Sequence, residues 1–266
     1  MIMSRRQLLA TVPGLAAATL ATSRAAIGEV MPERSTFELR QYTLRARQRD
    51  TLISLFEGQF IEPQNEAGAH VVGTFRDADD PDRFVWIRGF ADMAARPGAL
   101  AAFYGGPVWR AHRDAANATM VDSDNVLLLR PAAPGAGFAP PVPLGEPAAG
   151  VVGATIYYLA SADAGGFAAF FGGAVSPLLK ALGVAPLAIL VSEEAPNNFP
   201  RLPVRQQERV FVWFARWPSL DSYEACRARF SQVSGWRDTA PVAMLPALMR
   251  KPEQLRLLPT ERSELR

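Results

Sequence analysis

Residues 84–110 read F-V-W-I-R-G-F-A-D-M-A-A-R-P-G-A-L-A-A-F-Y-G-G-P-V-W-R, and most anchors of this stretch return later in the chain. Trp86 recurs as Trp213, Phe90 as Trp217, Phe103 as Phe230, Trp109 as Trp236 and Arg110 as Arg237, each 127 positions on. A fixed spacing that spans a strand pattern, a helical pattern and a closing Trp-Arg pair marks two copies of one unit.

Outward from this stretch, residues 35–44 alternate Phe37 and Leu39 with Glu38, Arg40 and Tyr42, the period of a half-buried strand. Residues 47–68 carry Leu52, Leu55, Phe56 and Phe60 at helical spacing, and Gly68 supplies a stop. Strands are expected over 70–76, 83–91 and 125–130, with an acidic turn at 77–82 and a helical stretch over 94–118 broken near Gly105-Gly106-Pro107. The first unit, residues 35–130, is therefore βαββαβ. Six prolines and four glycines in residues 131–150 exclude a continuous helix or central strand, so this segment is a linker.

The pattern restarts over residues 153–258, with strands near 154–160, 185–192, 208–215 and 254–258 and helices near 163–182 and 219–234. The counterpart of Tyr42 is Tyr157 or Tyr158, 115 or 116 positions on, and the longer connector 195–205 takes up the difference from 127. Residues 259–266 read as a frayed polar tail. Each unit predicts a four-stranded antiparallel sheet with helices on one face, and the two bare faces can cover each other. The fold class expected is α+β: two ferredoxin-like βαββαβ repeats forming an intramolecular dimeric α/β barrel.

Composition narrows the function. The chain has 266 residues, 49% hydrophobic and 20% charged, with a formal net charge of +2 and its basic residues scattered, which argues against a nucleic-acid partner. Its lone cysteine, Cys226, forms no internal disulfide and reads as structural. Residues 1–25 place Ser4-Arg5-Arg6-Gln7-Leu8-Leu9 before a weakly apolar run and Ser23-Arg24-Ala25, which resembles a twin-arginine export signal and implies a periplasmic protein in a bacterium. The run is shorter than the ~20 apolar residues of a membrane span, so no span is expected once the signal is removed.

Glu38-Leu39-Arg40-Gln41-Tyr42-Thr43-Leu44, Val72-Gly73-Thr74-Phe75, Val85-Trp86, Trp109-Arg110 and, in the second half, Asn198-Phe199-Pro200-Arg201-Leu202-Pro203-Val204-Arg205 with Val212-Trp213-Phe214 resemble the NIPSNAP family. The resemblance covers residues 35–258 in tandem. It implies a dimeric α/β barrel, related in fold to small monooxygenases and haem-degrading proteins, and carries no agreed set of catalytic residues.

Strand alternation puts Glu38, Arg40 and Tyr42 on one face, as it does His70, Thr74 and Arg76, and Trp86 with Arg88. If Phe37, Leu39, Val71, Phe75, Val85 and Ile87 pack on the helices, this polar set points into the barrel. It then lines a cavity for a partly aromatic or anionic small molecule, with Arg40, Arg76 and Arg88 as charge partners and Trp86 and Trp213 as walls. The competing reading is an internally paired network that binds nothing. Arg201 and Arg205 on the second-half connector are further ligand candidates, because function can sit where the halves differ. A metal site at Glu62, Glu66 and His70 is disfavoured by Pro63 and Gly68, which interrupt the helix. No cofactor is expected; haem on His112, which follows Trp109-Arg110, is the alternative considered.

No phosphate loop, nucleophile elbow, C-x-x-C or H-E-x-x-H motif occurs. The function expected is an exported barrel that binds a small molecule or partner, with association of copies left open. The alternative is a cofactor-independent monooxygenase in which Tyr42, His70 or Arg88 orients the substrate beside Trp86.

Overall fold

The computed structural model describes residues 33–139, 150–160, 164–232 and 247–266. The expected export signal at residues 1–25, the Trp236-Arg237 pair and residues 140–149 of the linker lie outside them.

Strands β1 (Thr36–Leu44), β2 (His70–Asp77), β3 (Arg83–Phe90) and β5 (Val126–Pro131) form an antiparallel sheet in the order β5-β1-β3-β2, and the short β4 (Met120–Asp122) pairs with the end of β1. Strands β6 (Val151–Tyr158), β7 (Pro186–Ser192), β8 (Val210–Trp217) and β9 (Glu253–Pro259) repeat that order as β9-β6-β8-β7. The halves also meet edge to edge: β2 pairs with β9, placing Arg76 opposite Leu258, and β5 pairs with β7, placing Arg130 opposite Val191. Packing of two bare faces was the expectation; the additional hydrogen-bonded seams close eight strands into one barrel and leave no open sheet edge between the halves.

Phe37, Leu39, Phe75, Val85, Ile87, Leu127 and Leu129 of the first half meet Ile156, Leu190, Val212, Phe214, Leu255 and Leu257 of the second inside the barrel. An eight-stranded barrel has an interior that side chains can fill, and these are all buried there. The linker adds a plug, since Phe138 packs its ring 5.5 Å from Phe37 and 5.1 Å from Phe214. Segment 131–138 is thereby partly built into the core.

Outside the barrel, the first half is covered by α1 (Arg49–Gln59), α2 (Ile61–Glu66), α3 (Arg96–Gly105) and α4 (Pro107–Thr119). Gly68, at φ 89°, turns the chain out of α2 in the left-handed conformation that glycine adopts without steric cost. The second half is covered by α5 (Ala164–Phe170), a π-helical turn at Phe171–Val175, α6 (Ser176–Ala181) and α7 (Leu220–Gln232).

The polar tail is docked, contrary to its fraying on composition. Thr260 Oγ1 lies 2.6 Å from both Thr74 Oγ1 and Glu57 Oε1, Ser263 Oγ accepts from the Thr74 amide at 3.1 Å, and both residues are buried. Strand β9 delivers the tail beside β2, where these hydroxyls satisfy polar groups that would otherwise be buried unpaired. Among the described residues no helix is long and apolar enough to cross a membrane.

Candidate functional site

The two faces of the sheet are used in the opposite sense to the expectation. Phe37, Leu39, Phe75, Val85 and Ile87 point into the barrel, whereas Glu38, Arg40, Tyr42, Trp86 and Arg88 lie beneath the helices. Val71 alone goes to the helical side as predicted, because a bulge between Val71 and Gly73 shifts the register of β2 there. The physical reason is economy of charge burial. A barrel interior shared by two facing sheets has to be apolar from both, so the charged alternates go where helices can bring them partners.

Those partners are numerous. Register sets Glu38 opposite Arg88 and Arg40 opposite Trp86. Arg40 donates through Nη1 to Glu38 Oε2 at 2.6 Å and through Nε to the Tyr42 hydroxyl at 2.9 Å. Arg88 donates through Nε to Glu38 Oε2 at 2.9 Å and through Nη1 to Gln64 Oε1 at 3.0 Å. From α3, Arg96 donates through Nε to Glu38 Oε1 at 2.7 Å and through Nη1 to the side-chain oxygens of Asn197 and Asn198, both at 2.9 Å. Arg88 Nη2 and Arg96 Nη2 also approach Glu38 at 2.7 Å but off the hydrogen-bond line, so attraction there is electrostatic. The guanidinium carbons of Arg40 and Arg88 stand 5.4 and 5.1 Å from the Trp86 ring, within cation–π range.

Glu38, Arg88 and Arg96 are 0% exposed and Arg40 is 2%. Burial alone would raise the Glu38 pKa, but Arg88, Arg40 and Arg96 override it and hold the carboxyl far below the usual carboxylate range. Burial lowers the Arg96 pKa, with Glu38 opposing; for Arg40, Tyr42 and Glu38 outweigh burial and raise it. The space left beside this cluster, between Tyr42, Phe56, Phe60, Gln64, Trp86, Tyr104 and Trp109, is about 30 Å3. That is the share of one water molecule, roughly 30 Å3. The first-half set is therefore a paired polar network without room for an organic ligand.

The remaining candidates do not join it. His70 Nε2 pairs with Glu264 at 2.7 Å, Arg76 with Asp50 at 2.8 Å on the surface, and Arg205 with Asn125 at 2.7 Å and with Glu208, while Arg201 is exposed on the connector. Among the described residues no three His, Cys, Asp or Glu side chains cluster as metal ligands. The His112 ring sits 6.3 Å from Phe60. Trp109 packs on Phe60, Phe103 and Tyr104.

The second half is built differently at the same place. Register sets Gly153 opposite Ala215, Thr155 opposite Trp213 and Tyr157 opposite Phe211, so Tyr157 is the counterpart of Tyr42. By the same correspondence Gly153 stands for Glu38, Thr155 for Arg40 and Ala215 for Arg88, and the 127 spacing puts Tyr223 where α3 has Arg96. A Cβ on Gly153 would fall 2.6 Å from the Trp217 ring and 3.0 Å from that of Tyr223. Only glycine lets those rings, 4.9 Å apart and edge to face, close over the strand.

With the charges gone, a cavity of about 250 Å3 remains, walled by Thr155, Tyr157, Leu179, Trp213, Trp217, Tyr223 and Cys226, with Arg227, Ser231 and Gln254 exposed at its edge. Burial pushes the Tyr157 pKa up to about 12 and raises that of Tyr223, so both remain phenols at neutral pH. Of the sequence candidates only Trp213 belongs to this chamber. Its other walls escaped the sequence reading because that reading looked for charge, and the signal that could have found them is the loss of charge between the repeats.

No curated protein matches the chain. Two solved structures provisionally named monooxygenases are similar in fold. One is from Fusobacterium nucleatum, with 11% identity and a TM-score of 0.56 over 86% of this chain and 94% of the other. The second is from Lactobacillus acidophilus, with 12% identity and a TM-score of 0.53 over 85% and 94%. An anthrone oxidase-like protein matches with 11% identity and a TM-score of 0.54 over 86% and 92%. These likenesses establish the α/β barrel fold and nothing finer. Residues 37–134 match the NIPSNAP family model, so the half of the chain that carries the arginine cluster contains a NIPSNAP domain.

Proposed function

We propose that this protein is an exported small-molecule-binding α/β barrel, its second half a diverged copy of the NIPSNAP domain, with the ligand seated between helices and sheet in that second half. The observation that carries the reading is the 250 Å3 cavity between β6, β8 and α7, larger than the roughly 150 Å3 in which an apolar cavity takes up benzene. The shared strand order and the recurring strand tryptophan support the duplication, and the paired arginines at Arg5-Arg6 support export. The direct test is to purify the protein from its own periplasm, denature it and analyse the released fraction by mass spectrometry. A small molecule released in stoichiometric amount is expected; protein that is periplasmic, folded and reproducibly empty counts against the reading.

A second reading, oxidation of an aromatic substrate by O2 without a cofactor, draws on the names borne by the structural neighbours. Against it, the buried phenols of the chamber are proton donors at neutral pH, whereas oxidation of a quinol or anthrone begins with removal of a proton. Oxygen uptake with quinols and anthrones distinguishes the two: turnover above the uncatalysed rate favours the enzyme, and binding without uptake favours the carrier.

A further inference from the structure

The chamber of the second half occupies the place that the first half fills with four ionised side chains. At the positions of Glu38, Arg40, Arg88 and Arg96 the second half has Gly153, Thr155, Ala215 and Tyr223, none of which carries a charge at neutral pH. Among the described residues, the one charged side chain bordering the cavity is Arg227, exposed and engaged with Glu224 at 3.3 Å. The wall offers four aromatic ring systems besides Tyr157, those of Trp213, Trp217, Tyr223 and Phe230, and its polar groups include the hydroxyls of Thr155, Tyr157 and Tyr223, the Cys226 thiol and the indole N–H groups of Trp213 and Trp217.

Resting on the reading that this chamber binds a small molecule, we infer that its ligand is a neutral, planar aromatic molecule of about two fused rings bearing a hydroxyl or carbonyl oxygen, and that anionic analogues are rejected. Size follows from the volume. An apolar cavity of roughly 150 Å3 takes up benzene, and the 250 Å3 here leaves space for a second ring. Planarity follows from Trp213, Trp217 and Tyr223, whose rings present flat faces and edges. Neutrality follows from the missing arginines. A carboxylate desolvated among these walls has no guanidinium to replace its water, and a buried unpaired charge is among the costliest groups a protein can hold. Hydroxyls can satisfy a ligand hydroxyl or carbonyl at no such cost. In the first half the charged cluster occupies the corresponding space.

The test is isothermal titration of the intact protein with 1-naphthol and with 1-naphthoate, near-isosteric probes that are neutral and anionic at about pH 7. Naphthol is expected to bind at one site and naphthoate at least tenfold more weakly. Two substitutions locate the site: Cys226→Phe fills the cavity from α7, and Thr155→Leu fills it from β6 while deleting a hydroxyl. Each is expected to weaken naphthol at least tenfold, with the fold verified by circular dichroism, and either one remaining folded suffices. Equal binding of both probes overturns the neutral-ligand inference while leaving a binding protein. Naphthol affinity unchanged in a folded cavity-filling variant overturns the placement. Failure of naphthol, naphthoate and every co-purified compound to bind removes the functional reading as well.

Discussion

Glu38 is the residue on which the first half turns, because one carboxylate neutralises part of three buried guanidiniums. Removing one member of a buried ion network leaves uncompensated charge, at a cost of about 3–5 kcal/mol. Glu38→Gln is therefore expected to lower the unfolding free energy by about that amount in urea denaturation, whereas exchange of the surface residue Asp50, paired with Arg76, is expected to cost less than about 1 kcal/mol. The pH dependence follows in sign. Folding depresses the Glu38 pKa, so at mildly acidic pH the unfolded chain binds a proton that the folded chain does not, and stability falls as pH falls. Between pH 5 and pH 3 this one group accounts for about 1–2 kcal/mol. The wild type should lose that much more than Glu38→Gln across the interval, measured by urea midpoints at each pH.

At the scale of elements, Arg96 ties α3 to the connector of the other half. The Asn197 amide side chain donates back to the Leu202 carbonyl at 2.9 Å, and Asn198 donates to the Met93 carbonyl at 2.5 Å, so the loop between β7 and β8 is pinned at both asparagines. A loop held by a few side-chain hydrogen bonds opens locally when they are removed. Combined Asn197→Ala and Asn198→Ala substitution should speed proteolytic cleavage within residues 193–209 severalfold, with a much smaller loss in global stability, as limited proteolysis beside thermal melting will show. The connector thus acts as a clasp onto the arginine cluster. That is a different role from the ligand contact expected of Arg201 and Arg205.

For the whole molecule, closure of the barrel is what covers the apolar face of each half. The inner face of the first sheet carries Phe37, Leu39, Phe75, Val85, Ile87, Leu127 and Leu129, all buried only because the second sheet covers them. A fragment of residues 33–139 would expose that face together with the free edges of β2 and β5. Since the halves share one strand order, a second copy of the fragment can supply both the face and the edges. The fragment is expected to be dimeric by light scattering; a soluble, folded monomer would show that the sheet does not need its partner.

The βαββαβ order and the one strand order common to both halves could be read from the sequence, because recurring tryptophans and period-2 alternation are local signals that survive without coordinates. Alternation also sorted Glu38, Arg40, Tyr42, Trp86 and Arg88 into one set. Which side of the sheet that set occupies was beyond its reach, since a strand pattern is symmetric between its two faces until something is known to cover each. Only the closed barrel decides this, by bringing apolar side chains from both sheets into one buried interior. Arg96 and the two asparagines come from elements far apart in the chain, and the chamber bounded by Thr155, Trp217 and Tyr223 is made by what is missing, so neither left a local mark. The sequence by itself settled the strands and the α+β class; the tertiary structure decided where the charges are buried and where space remains, because burial is a property of neighbours that the order of residues does not name.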